Sequence, residues 1–310
     1  MDGELLDSVR RVGSWVDSAR RWARAGRAAR QRQEPVIGLA LGGGFARGIA
    51  HLGVLSVLEE EKIPIHCLAG VSAGAMVAAA YASGASIAEI EVMARSMRFR
   101  DVARWTVNRL GLVTSERMNS FLKRLLKVYT FEQMRIPMAV VATDLESGDP
   151  RLFRGRGDVI LPIRASCSYP GLFLPIRWGD RHLVDGAISM DVPARAAREM
   201  GATHVVSVSL EAGGVGFDPQ NMLNVVNRCI QILQERTQAD WRSVSSVVIE
   251  PEVAGFGWDG FDGAGQMMEA GRQAARLALP QIRSLLEPPQ EDAATRGADA
   301  RPARRLSLRR

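Results

Sequence analysis

Only three cysteines occur in the 310 residues, Cys67, Cys167 and Cys229, and none stands in a CxxC pair or at Cys/His metal-ligand spacing. An odd count without such spacing excludes a disulfide scaffold and a zinc module, and it predicts buried thiols in a reducing compartment. No run of 18 or more uncharged apolar residues exists, which excludes a membrane-spanning helix. The opening residues interleave acids and arginines with apolar side chains, unlike a signal peptide, so a cytoplasmic protein is expected. Internal repeats are absent. The glycine-rich stretch at residues 255–265 lacks the ligand series of a calcium loop, so neither a metal nor an organic cofactor is expected.

The net charge of +6 does not describe the middle of the chain. Residues 1–33 hold eight arginines against four acids, and residues 291–310 hold six against three. A central region close to neutral is not expected to bind nucleic acid. The chain divides into three parts: a basic amphipathic helix over 1–34, a main domain over 35–287, and a disordered basic tail over 288–310. In the first part Leu5, Val9, Val12, Val16 and Ala19 recur at helical spacing, with Trp15 and Trp22 nearby. Such a helix suits peripheral contact with an anionic membrane or docking on its own domain.

Between residue 35 and about 286, apolar strands alternate with helices, which predicts an α/β fold with a mostly parallel central sheet flanked by helices. "PVIGLAL", "IHCLAG", "MAVVATDL", "THVVSVSL" and "SSVVIEP" read as strands. Helices are expected after Ala50, over "SAGAMVAAAYASG" and over "VPARAAREMG". A further helix over 219–236 has the stripe Met222, Val225, Val226, Cys229, Ile232 and Leu233. The segment from about 86 to 130 is helical, rich in Arg and Met and without clear strands. It reads as an insertion forming a cap or entry wall.

Two short motifs carry chemistry. "GVSAG" runs from Gly70 to Gly74 between a strand and a helix, the context in which G-x-S-x-G puts a serine hydroxyl on a tight turn above the sheet edge. Ser72 is the expected nucleophile, and Gly70 and Gly74 are the small neighbours that the turn requires. A serine needs a base. None of His51, His66, His182 and His204 lies in a loop after a late strand with an acid before it. Asp185 in "LVDGAI" ends a short apolar strand and is followed by Gly186 and Ala187, so it is the better candidate. Asp144 in "ATDLESG" also ends a strand, but the adjoining "ESGDP" reads as an ordinary hairpin turn.

The blocks "ALGGGFARGIAHLGVL", "AGVSAGA", "VATDLESGDPRLF", "IRASCSYPGLFLPI" and "LVDGA" resemble, in order, the patatin-like phospholipase family, and within it the bacterial relatives of neuropathy target esterase. The resemblance implies a modified α/β-hydrolase-type fold with a nucleophile elbow and lipid acyl hydrolysis by a Ser72–Asp185 dyad. It implies that the loop Gly42, Gly43 and Gly44 donates amides to an oxyanion, and that Arg47 braces that loop or meets a headgroup phosphate. It also places "ASCSYPGLF", with Ser166 and Ser168, beside the site, where the loop either shapes an acyl pocket or is merely structural. Phe45 replaces the usual fourth glycine. The implied substrate is a phospholipid or lysophospholipid. A short-chain esterase or thioesterase on the same dyad and a non-catalytic interaction protein on the fold remain as alternatives.

Overall fold

The computed structural model describes residues 34–210, 218–257 and 259–287. The expected N-terminal amphipathic helix and the tail from residue 288 lie outside the described residues. Pro35–Arg283 forms one compact unit.

Its centre is an eight-stranded sheet made of β1 (Ile37–Leu41), β2 (Cys67–Val71), β5 (Met138–Asp144), β6 (Pro150–Arg154), β7 (Ile176–Trp178), β8 (Arg181–Asp185), β9 (His204–Val208) and β10 (Val247–Ile249). Their order is β10-β9-β1-β2-β5-β8-β7, with β6 also on β5. The five from β10 to β5 run parallel, whereas β6, β8 and β7 join antiparallel. β1 and β2 are buried at every residue, as expected of parallel strands covered by helices on both faces.

Helix α1 (Ala50–Glu60) follows β1 through the glycine loop and a tight helical turn, Phe45–Ile49, and α2 (Ala73–Ala82) follows β2 directly. α1 lies against α9 (Ala264–Ser284) at backbone contact: a Cβ on Gly53 would stand 1.9 Å from the Met268 carbonyl, and one on Gly271 2.0 Å from that of Ala50. Only glycine permits that approach.

Register along β5 decides where the site forms. β6 pairs with Ala139–Thr143 along one edge of β5, so β2 and β8 must share the other. Val71, the last residue of β2, pairs with Val141, and the next residue of β5, Ala142, pairs with Asp185 at the end of β8. The ends of β2 and β8 therefore meet head to head on one strand edge. Ser72 and Asp185 are neighbours although 113 residues separate them.

The insertion comprises α3 (Ile87–Ser96), α4 (Phe99–Val102), a hairpin of β3 (Arg104–Trp105) with β4 (Val113–Thr114), and α5 (Glu116–Leu125). The hairpin corrects the expectation of a strandless segment, because a ladder of two residue pairs is too short to leave an alternating pattern. The helix expected over "VPARAAREMG" is present as α7 (Ala194–Glu199), capped by Pro193 and stopped before Gly201. A further expectation fails in α8 (Met222–Val244), the helix after β9, whose apolar stripe is turned out: Met222, Val225, Ile232 and Leu233 are exposed, as is Cys229, expected to be buried. The inward face of α8 instead carries Asn227, Gln231, Gln234 and Gln238, which line a polar cavity. The remaining described α-helix, α6 (Ile160–Ser166), leads into a loop whose Cys167, Tyr169 and Phe173 line cavities.

Candidate active site

Ser72 sits between β2 and α2 with φ 52° and ψ −124°, a left-handed conformation that side-chain-bearing residues rarely adopt. The turn is held because its flanks have no side chains: a Cβ on Gly70 would meet Ala75 Cα at 2.5 Å, and one on Gly74 the Leu41 carbonyl at 2.3 Å. The strained turn lifts the hydroxyl off the sheet. Ser72 N–H donates to Ser166 Oγ at 2.8 Å, and Ser166 donates to the Val141 carbonyl at 2.6 Å, tying the turn to β5. The "ASCSYPGLF" loop thus contributes a direct brace on the elbow.

Ser72 Oγ donates to Asp185 Oδ2 at 2.8 Å. Asp185 is buried, and its other oxygen accepts the Ala187 N–H at 3.0 Å. Its main chain is fixed as well, with its N–H on the Ser168 carbonyl and its own carbonyl accepting from Thr143 Oγ1. Burial pushes the carboxyl up to about 7, against the smaller opposing pull of the Ala187 and Ser72 hydrogen bonds. Gly186 is needed because a Cβ there would lie 2.2 Å from the Val141 carbonyl.

The glycine loop passes beside the hydroxyl. A Cβ placed on Gly43 would stand 3.5 Å from the Cβ atoms of both Ser72 and Ala187. Gly42 donates to the Val208 carbonyl and Gly43, at 3.4 Å, to that of Asp191, so these two amides already hold the loop to its neighbours. The Gly44 N–H meets no acceptor among the described residues. Arg47 is buried, its Nε without an acceptor among the described residues, and desolvation lowers its pKa. Phe45, at φ 51°, stacks edge-on against Tyr169 with ring centroids 4.9 Å apart.

Two cavities meet at Ser72 and Phe45. One is apolar, walled by Ile49, Met76, Ile90, Met97 and Phe121 among others, and the insertion supplies much of it. The other is polar, reached by Arg47, Tyr169, Asp191, Gln231 and Gln234.

The histidines are engaged elsewhere. His51 Nε2 donates to the Gly42 carbonyl, His66 Nδ1 accepts from Ile37 N–H, and His182 pairs with Glu146. His204 begins β9, where burial and Arg198 lower its pKa. Asp144 accepts from the Glu146 and Ser147 amides and pairs with Arg181, as a turn-forming carboxylate does. No cluster of three or more His, Cys, Asp or Glu that could hold a metal occurs among the described residues.

A family model described as "Patatin-like phospholipase" matches residues 39–198, just over half of the chain. The chain belongs to the patatin-like phospholipase family. An uncharacterized NTE family protein of Mycobacterium tuberculosis is 33% identical over 190 residues, 60% of this chain and 52% of its own. A second from that organism is 29% identical over 270 residues, 78% of this chain and 46% of its own. A patatin-like phospholipase domain-containing protein of Caenorhabditis elegans is 30% identical over 215 residues, 67% of this chain and 16% of its own. The chain spans about half the length, or less, of the curated relatives it matches. Among solved structures, VipD from Legionella pneumophila aligns with 81% of this chain and 67% of its own at 14% identity and a TM-score of 0.47.

Proposed function

We propose that this chain hydrolyses the acyl ester of a phospholipid or lysophospholipid through Ser72 as nucleophile and Asp185 as base. The observation that carries the reading is the 2.8 Å bond from Ser72 Oγ to Asp185 Oδ2 where an apolar and a polar cavity meet. Ser72 attacks the ester carbonyl as its proton passes to Asp185, and the carbonyl oxygen becomes an oxyanion facing the Gly44 N–H. Asp185 then protonates the departing alkoxide, leaving an acyl-enzyme. Water, losing its proton to Asp185, attacks that ester, and the proton returns to Ser72 as the fatty acid departs.

A carboxylate with an ordinary pKa is a weak base at neutral pH, and burial supports a stronger one here by raising Asp185 to about 7. The apolar cavity suits the acyl chain. The polar cavity, lined by Arg47 and Tyr169, suits a glycerophosphate leaving group.

The test is a fluorophosphonate probe followed by peptide mapping, together with nitrophenyl esters of increasing chain length. Label on Ser72 alone, lost in Ser72→Ala, and a preference for long chains are expected. Label that persists in Ser72→Ala would move the active site elsewhere, and a preference for short chains would turn the reading into a short-chain esterase.

A further inference from the structure

The β3–β4 hairpin presents apolar side chains that nothing among the described residues covers. Trp105 is 69% exposed, Leu110 64%, and Val107 fully. Its tip is a built turn: Thr106 N–H donates to the Leu112 carbonyl, and Leu110 N–H to Asn108 Oδ1. Its base is anchored. Leu112 and Val113 donate to the Leu172 carbonyl, Leu174 donates back to Val113, and a Cβ on Gly111 would lie 2.9 Å from the Phe173 backbone.

Around the apolar tip the charge has one prevailing sign. Residues 98–117 hold five arginines, at 98, 100, 104, 109 and 117, against two acids, Asp101 and Glu116. All five arginines are exposed; Arg104 pairs with Glu116 and Arg98 with Asp262, which leaves Arg100, Arg109 and Arg117 in no ion pair among the described residues. Tryptophan, aliphatic residues and arginine close together are the chemistry of the bilayer interface: the ring sits at headgroup depth, the aliphatic groups enter the acyl layer and the guanidinium groups meet phosphates. A second protein surface would have to bury these arginines as well. Beneath the hairpin, Phe99 lines the apolar cavity, with its ring 6.4 Å from that of Trp105 and 6.1 Å from that of Phe173. One aromatic ring thus separates the exposed tryptophan from the cavity at Ser72.

We infer that the hairpin Arg104–Thr114 is a wedge that enters an anionic lipid surface, with Trp105, Val107 and Leu110 in the bilayer and the flanking arginines on its phosphates. The hairpin is pinned to the backbone around Phe173 and rests on Phe99, two residues of the cavity wall, so binding sets the cavity beside the acyl layer. The purpose of the wedge rests on the lipid-hydrolase reading, whereas its existence does not.

The binding experiment therefore uses full-length Ser72→Ala protein, which leaves the lipid intact. Vesicles of mixed phosphatidylcholine and phosphatidylglycerol with brominated acyl chains should quench part of its tryptophan fluorescence, and Trp105→Phe on that background should remove a distinct share of the quenching. Val107→Asp with Leu110→Asp should weaken vesicle co-sedimentation roughly tenfold or more. In otherwise wild-type protein the same pair should leave turnover of a soluble short-chain ester unchanged. Equal quenching with and without Trp105, or equal sedimentation of the double variant, overturns the wedge. Binding as tight to phosphatidylcholine alone overturns the anionic assignment. A double variant that changes only the oligomeric state makes the hairpin a contact between copies of the chain. Should the double variant fail to fold, the Trp105→Phe comparison decides. Quenching through Trp105 in a protein with no esterase activity would uphold the wedge and sink the hydrolase.

Discussion

The imidazole of His51 donates Nε2–H to the carbonyl of Gly42 across 2.9 Å, so this buried histidine is bonded to the glycine loop and not to Ser72. Burial holds its pKa down to about 4, and Nδ1 has no partner among the described residues, which fixes a neutral tautomer. His51→Ala is expected to lower kcat/KM by roughly ten- to a hundredfold through a loosened loop, leaving the midpoint of the pH–rate profile in place. Loss of that profile's acid limb would make His51 the base. Replacing His66, His182 or His204 singly should change activity less than about tenfold, a barrier change near 1.4 kcal/mol.

Asp185 and His51 give stability opposite dependences on pH. The folded pKa of Asp185 is raised, from 3.8 to about 7, so its contribution is lost as pH rises through that interval. That of His51 is lowered, from 6.5 to about 4, so its contribution is lost as pH falls through that interval. Where the two windows overlap, the effects offset each other. Asp185→Asn should abolish turnover and yet be more stable than the wild type at pH 7, by on the order of 3 kcal/mol, since no carboxylate need ionise in the core. Its stability should then rise with pH between about 4 and 6.5, the dependence of His51 uncovered. Urea unfolding across that range checks both, and a variant less stable than the wild type at pH 7 contradicts the linkage.

Ser166 carries the Ser72 amide on its hydroxyl. Ser166→Ala leaves that N–H and the Val141 carbonyl without a partner, at a cost of about 1–3 kcal/mol for each buried group left unpaired. A lower melting temperature and a fall in kcat greater than the rise in KM are expected, because the elbow shifts while the cavities stay. Unchanged kcat in Ser166→Ala would show that the strained turn holds itself.

The glycines of the site divide into two kinds. A Cβ on Gly74 or Gly186 collides with a strand carbonyl, so alanine at either position should prevent folding. At Gly43 the nearest atoms lie at ordinary contact distance, and at Gly44 the nearest is the movable end of Leu210. Gly43→Ala should therefore fold with a melting temperature close to the wild type and lose kcat, because its methyl stands against Ser72. Full activity in that variant would free the loop of any part in the chemistry.

The elbow, the D-G-A turn and the glycine loop were legible in the sequence because each is a local backbone demand that a few small residues announce. The brace from Ser166 was not, since a hydroxyl on a helix end has no pattern that says which amide it will meet. Short edge strands such as β7 escape because three residues show no alternation. The stripe on α8 is a different failure. Periodicity finds an apolar face correctly, but it cannot tell that the polar face, with Asn227, Gln231 and Gln234, is the one turned inward to line a cavity.

The meeting of β2 and β8 on one edge of β5 also bears on synthesis. A growing chain carries Ser72 early, but the carboxylate that accepts its hydrogen bond is 113 positions further on. At about 5–20 residues per second, a ribosome takes roughly 6–23 s to cover that distance, and β8 must then dock before the pair exists. On the proposed mechanism, a nascent or truncated chain has the nucleophile and no means to fire it. On that mechanism, the cell's own lipids would meet a working pair only after the sheet has closed.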